Sequence, residues 1–138
     1  MKITVSTLVQ APLPEVWRAY TTPEDICQWN TASPDWHTTR ATVDLRVGGE
    51  FSSRMEAKDG SFGFDFAGVY TEVIAHSRLG YAFGERTASV RFEPEGPAVR
   101  VTVSFDAEDS HSEEQQRQGW QAILDSFAQH VQKHSGNS

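Results

Sequence analysis

The order of patterned segments constrains this fold more than any single residue does. A stretch of period-2 apolar residues, Lys2–Gln10, leads into the turn Ala11-Pro12-Leu13-Pro14. Two short helical patterns follow, and then about seventy residues, Trp36 to Phe105, read as strands punctuated by glycine. One long amphipathic helix closes the chain. Strand, two short helices, many consecutive strands and a final long helix are the elements this order predicts.

The local signals fill in this plan. Pro14 suits the first turn of a helix, and Val16, Trp17 and Tyr20 form an apolar stripe behind it. Thr22-Pro23-Glu24-Asp25 predicts a second helix with a capping hydroxyl and acids in its first turn, turning Ile26 and Trp29 inward. Ala41, Val43, Leu45 and Val47 alternate with Thr42, Asp44 and Arg46, so the strand is expected to continue to the Gly48-Gly49 turn with Asp44 and Arg46 on one side. Phe51, Ser53 and Met55 share a face, and Lys58-Asp59-Gly60-Ser61 predicts a hairpin. The next strand places Phe62, Phe64, Phe66, Gly68 and Tyr70 on one face and Ala67, Val69, Thr71 and Val73 on the other. His76-Ser77-Arg78 turns the chain into Leu79, Tyr81 and Phe83. Val90 and Phe92 precede an expected turn over Glu93-Pro94-Glu95-Gly96-Pro97. Val99, Val101, Val103 and Phe105 alternate as in a strand with one wet face.

Ser110 and Glu113 have capping-box spacing, so the last helix is expected from there to about His134. Trp120, Ile123, Leu124, Phe127 and Val131 form its apolar stripe, with Gln116 among the residues of the polar face. Gly119 costs about 1 kcal/mol within a helix, and close backbone contact with the sheet would account for it. Residues 1–134 are read as one domain and 135–138 as a frayed tail.

Composition bounds the function. A net charge of −7 repels phosphate backbones, which argues against nucleic acid and anionic membrane surfaces. No run approaches the roughly 20 apolar residues of a membrane span, and the N-terminus lacks a signal-peptide core. The single cysteine, Cys27, fits a cytoplasmic protein and reads as a small buried hydrophobe. Eight Phe, four Trp and three Tyr are more aromatic surface than a dense core of this size needs.

Ala11-Pro12 with Val16-Trp17, Pro23-Glu24 with Trp29, Asp44-Leu45-Arg46-Val47-Gly48-Gly49-Glu50-Phe51, Gly68-Val69-Tyr70-Thr71-Glu72-Val73 and Gly119-Trp120 with Leu124 occur in one order across nearly the whole chain. In this the sequence resembles the START-like (SRPBCC) superfamily, specifically the branch homologous to the C-terminal domain of the ninety-kilodalton heat-shock chaperone's ATPase activator. The resemblance implies an α+β helix-grip fold, like that of the birch-pollen allergen: a curved antiparallel sheet wrapped around a long C-terminal helix, with a cavity between them. The superfamily hosts lipid carriers, hormone receptors and aromatic cyclases, so it implies the fold more specifically than the function. Where the family often has Trp-Trp or Trp-Phe, this chain has Trp29-Asn30, which implies a more polar lip. The full chaperone activator also carries an N-terminal chaperone-binding domain for which 138 residues leave no room. Chaperone interaction is therefore not expected.

The expected function is binding of a small hydrophobic or aromatic molecule in that cavity, by a monomer or weak homodimer. The cavity candidates are Trp29, Trp36, Phe51, Met55, Phe64 and Phe66, together with Tyr70, Tyr81, Phe83, Trp120 and Leu124. Arg46 is added as a polar tether for a carboxylate or phenolate, the alternative being a structural ion pair with Asp44. The alternatives are a cyclase- or hydrolase-like enzyme using the same space and a stress-related interaction module. No catalytic set stands out. Glu56 and His76 are the residue types for acid–base work, and nothing in the sequence brings them together. His130 and His134 have chelating i, i+4 spacing but read as a solvated helix end, so neither metal nor cofactor is expected.

Overall fold

The computed structural model describes residues 2–31 and 33–135. Its elements are β1 (Lys2–Val9), α1 (Leu13–Thr21), α2 (Pro23–Trp29), β2 (Trp36–Val43), β3 (Glu50–Ala57), β4 (Gly63–Ile74), β5 (Arg78–Phe83), β6 (Arg86–Glu95), β7 (Ala98–Asp106) and α3 (Glu113–Ser135). The strands form one antiparallel sheet in the order β1-β7-β6-β5-β4-β3-β2. This is the expected helix-grip architecture. β1 and β2 end on opposite edges, so α1 and α2 carry the chain from one edge to the other. α2 packs on β2.

The inner face is held by the alternating residues. Val99, Val101, Val103 and Phe105 of β7 are almost fully buried, as are Ile3 and Val5 of β1 and Val90 and Phe92 of β6. Leu124, Phe127 and Val131 of α3 and Val16 and Trp17 of α1 cover them. α3 lies along β1 and covers its free edge. Arg117 donates to the Thr4 carbonyl (3.2 Å), Gln121 Nε2 to the Ser6 carbonyl (2.9 Å), and the Gln10 amide donates to Gln132 Oε1 (2.8 Å). These bonds satisfy edge groups that would otherwise template another strand.

Several local expectations are corrected. The strand beginning at Trp36 stops at Val43, and residues 44–49 form a loop. The Tyr70 carbonyl accepts from the Gly48 amide (2.8 Å) and the Tyr70 amide donates to the Gly49 carbonyl (2.9 Å). Gly48 adopts φ +85°, which glycine tolerates best. Leu45 and Val47, expected to pack, are therefore exposed. Phe62 precedes β4 and is exposed as well. In β4 the register shifts between Tyr70 and Glu72. That bulge at Thr71 turns both Tyr70 and Val73 toward the core, where strict alternation would separate them.

The 93–97 turn is tighter than expected, because Glu93, Pro94 and Glu95 belong to β6. The Phe92 amide donates to the Ser77 carbonyl (2.8 Å). Pro94, two residues on, points its donorless nitrogen the same way, beyond the end of β5, whose pairing reaches only Arg91.

The cap of α3 also moves. Ser112 Oγ accepts from the Gln115 amide (3.0 Å), and Gln115 Oε1 accepts from the Ser112 amide (3.2 Å), a reciprocal capping box two residues past Ser110. Ser110 instead bonds Glu108 (3.3 Å). Gln116, expected on the wet face, is buried. Its amide bonds the backbone of Glu108 and His111 and so ties the β7–α3 connection down. At α2, Thr22 occupies the cap position without a side-chain hydrogen bond, and only its carbonyl is used. Helix α3 runs one residue past His134, and residues 136–138 of the expected tail lie outside the described residues.

Candidate ligand cavity

The α3 backbone stays close to β1 and stands away from β3, β4 and β5. The space this leaves is a cavity of about 520 Å³ between α3, α2 and strands β2–β5. That lies within the roughly 300–1,000 Å³ range of small-molecule sites.

Each wall has a local cause. Trp29 is fixed by its indole N–H, which donates to the Ala19 carbonyl (2.8 Å), and its ring packs on Tyr20 and Phe127. Phe51 lies opposite Gly68 in the β3–β4 ladder, and its ring occupies the volume a Cβ on Gly68 would need. Tyr70 and Tyr81 face each other across β4 and β5, both against Phe51. The liners Tyr81, Tyr70 and Leu79 are buried, whereas Phe64 is exposed and touches half-buried Trp36. The inner end thus lies at the tyrosines and the mouth near Phe64 and Trp36.

Ten of the twelve sequence candidates line this space: Trp29, Trp36, Phe51, Met55, Phe64, Phe66, Tyr70, Tyr81, Trp120 and Leu124. Two do not. Phe83 sits behind the wall, against Phe66, Tyr81 and Trp120, with the Arg86 guanidinium 4.8 Å over its ring. Arg46 is in the 44–49 loop, where its guanidinium bonds Asp44 at 2.9 Å in the open. No strand holds the pair, so it presents no tether to the cavity.

Sequence reasoning missed Tyr20, Ser53 and Gly119 as lining residues, while Asn30 lines the cavity as the polar lip implied. Ser53 was legible, since it lies midway between Phe51 and Met55 on the same face. Gly119 reverses its expectation: a Cβ built there meets nothing within 4 Å, so it borders open space.

Among the described residues no Asp, Glu, Lys, Arg or His lines the cavity. Its polar groups are neutral. Burial raises the Tyr70 hydroxyl to about 12 and pushes Tyr20 and Tyr81 well up too, these last two reinforced by neighbouring phenols. All three are protonated donors at neutral pH.

The other candidates are dispersed. Glu56 pairs with Arg54 (3.0 Å), and His76 stacks near Trp17, so neither meets the other or the cavity. Cys27 is only half-buried, and partial burial with Glu24 nearby pushes its thiol up. His130 is buried rather than solvated, its Nε2 2.8 Å from Asp25 Oδ1 on α2. Among the described residues no three His, Cys, Asp or Glu cluster as metal ligands. Among the described residues no helix is long and apolar enough to cross a membrane.

Residues 10–132 match the family model described as activator of Hsp90 ATPase homolog 1-like protein. The solution structure of an AHSA1-like protein from Aeromonas hydrophila is 45% identical, covering 100% of this chain and 96% of that one, with a TM-score of 0.92. A Cytophaga hutchinsonii protein is 39% identical over 99% and 96% of the two chains, at TM-score 0.83. A Nitrosomonas europaea protein at 24% identity shares the fold, with TM-score 0.81 over 99% and 97%. No curated protein matches.

Proposed function

The chain belongs to the activator of Hsp90 ATPase homolog 1-like family, and within that frame we propose that it binds a small hydrophobic or aromatic molecule in the cavity under α3. The observation that carries this reading is the cavity itself: about 520 Å³ lined mainly by aromatic and aliphatic side chains. Protein interiors pack densely, with few voids larger than a water. Large apolar side chains surrounding this much open space are the usual composition of a small-molecule site. The acid–base alternative finds no support, because Glu56, His76 and Arg46 lie apart and none lines the cavity.

The test has two readouts. Protein recovered from cells is extracted, and the released small molecules are identified by mass spectrometry. Isotope-labelled protein is then titrated with a panel of neutral aromatic and acyl compounds. Binding should shift the amides of Phe51, Ser53, Phe66, Tyr70 and Leu124 together. A panel that leaves these amides unmoved, with no molecule released on extraction, would refute the reading.

A further inference from the structure

We propose that the ligand is uncharged and carries a carbonyl-type hydrogen-bond acceptor at its inner end, received by the hydroxyls of Tyr20, Tyr70 and Tyr81. This deepens the cavity-binding reading and rests on it.

Three elements bring these hydroxyls together: α1 supplies Tyr20, and the facing strands β4 and β5 supply Tyr70 and Tyr81. Tyr70 and Tyr81 are direct cross-strand partners, both in ring contact with Phe51. All three residues line the cavity, and Tyr70 and Tyr81 are buried. Yet none of the hydroxyls bonds any described group, while the indole of neighbouring Trp29 has its partner. Nor is any of them sealed in protein, since the one fully enclosed unpartnered side-chain oxygen among the described residues is on Glu15. They therefore border the open space.

A buried phenol usually finds a partner, and one left without costs roughly 1–3 kcal/mol. Three unpartnered donors at the closed end of a mainly apolar cavity call for an acceptor delivered by what enters. A carbonyl oxygen has two lone pairs and so takes two of the donors.

Charge is decided by the rest of the lining. A carboxylate would leave water for a cavity without a cation, and an ammonium for one without an anion. The cation that acts on Tyr81 is Arg86, whose guanidinium sits 4.8 Å over the Phe83 ring and bonds the Asp106 carbonyl (3.0 Å). Asn30, Ser33, Thr42 and Ser53, also among the liners, add only neutral groups.

The experiment uses three naphthalenes of one frame: 2-acetylnaphthalene, its hydrocarbon isostere 2-isopropenylnaphthalene, and 2-naphthoate. Affinities are measured at neutral pH on the full chain, its three single Tyr→Phe variants and the triple variant. The ketone should bind at least about tenfold tighter than the isostere, as two net hydrogen bonds allow, and tighter than the naphthoate. The triple variant should lose that preference while keeping its affinity for the isostere. The carbonyl stretch of the bound ketone should lie lower in the wild type than in the variants. Should the triple variant not fold, each single variant should still lose part of the preference. Equal binding of ketone and isostere, a preference surviving Tyr→Phe, or tightest binding of the naphthoate would each overturn the proposal and leave cavity binding standing. Binding of none of the three would overturn both.

Discussion

The indole of Trp120 lies flat on Phe105, ring centroids 4.0 Å apart and planes within 10°. Phe105 is fully buried in β7, so this stack pins the first half of α3 to the sheet. Trp120 is also a cavity wall, with Phe66 and Phe83 at 6.5 and 6.2 Å. One residue thus fixes the helix and sets how far it stands from β3–β5.

Trp120→Ala should destabilise the protein by about 3 kcal/mol, the low end for a large aromatic truncation, because part of the side chain already borders open space. Chemical denaturation monitored by circular dichroism measures this. A wild-type midpoint would mean that the stack does not anchor α3.

Gly119→Ala should raise stability by up to about 1 kcal/mol, since a mid-helix glycine is penalised and the new methyl meets nothing within 4 Å. Gly119→Leu should fold equally well but fill the cavity, weakening any cavity-bound probe at least about tenfold, or 1.4 kcal/mol. Lower stability for the Ala variant would indicate a tighter helix–sheet approach than the structure has.

Much of this site was legible because its walls follow simple periods. Phe51, Ser53 and Met55 share a face by alternation, and Trp120, Ile123 and Leu124 share one by helical spacing. What could not be read were breaks in period and choices between equivalent signals. Nothing marks Thr71 as a bulge, although that one residue decides where Val73 points. Ser110 and Ser112 both offer a capping hydroxyl, and only the length of the β7–α3 connection selects Ser112. Arg46 fits an alternating pattern, but the 44–49 loop bonds to Tyr70 and takes it out of the strand. Tyr20 joins Tyr70 and Tyr81 in the cavity lining from a separate element, so no local pattern encodes it. His130 finds Asp25, 105 residues away, for the same reason.

That pairing joins the C-terminal part of α3 to α2, which carries the cavity liners Ile26 and Trp29. Asp25→Ala should leave buried His130 without its partner and weaken the attachment by about 1–2 kcal/mol. The effect should be local. Amide exchange in α2, over residues 23–29, should accelerate more than exchange in β6 and β7. Uniform acceleration across the chain would show that the bond supports global stability rather than the attachment of α2.

Asp106 gives an acid-range prediction. It ends β7 and bonds Lys2 Nζ (2.9 Å) on β1 and both the amide and hydroxyl of Thr87 on β6. Those bonds, with Lys2 first, lower its carboxyl from the ordinary 3.8 to about 2. A group depressed in the folded state binds its proton more readily when unfolded, so stability falls as pH falls. The contribution of Asp106 should be complete above about pH 4 and lost as pH drops toward 2. Asp106→Asn carries no titrating group and should be less stable than wild type near neutrality, with the gap closing across that window. Urea midpoints of both proteins, measured from neutral to acid pH, give the comparison. A gap that stays constant to the acid limit would show that the charge on Asp106 does not join β1, β6 and β7.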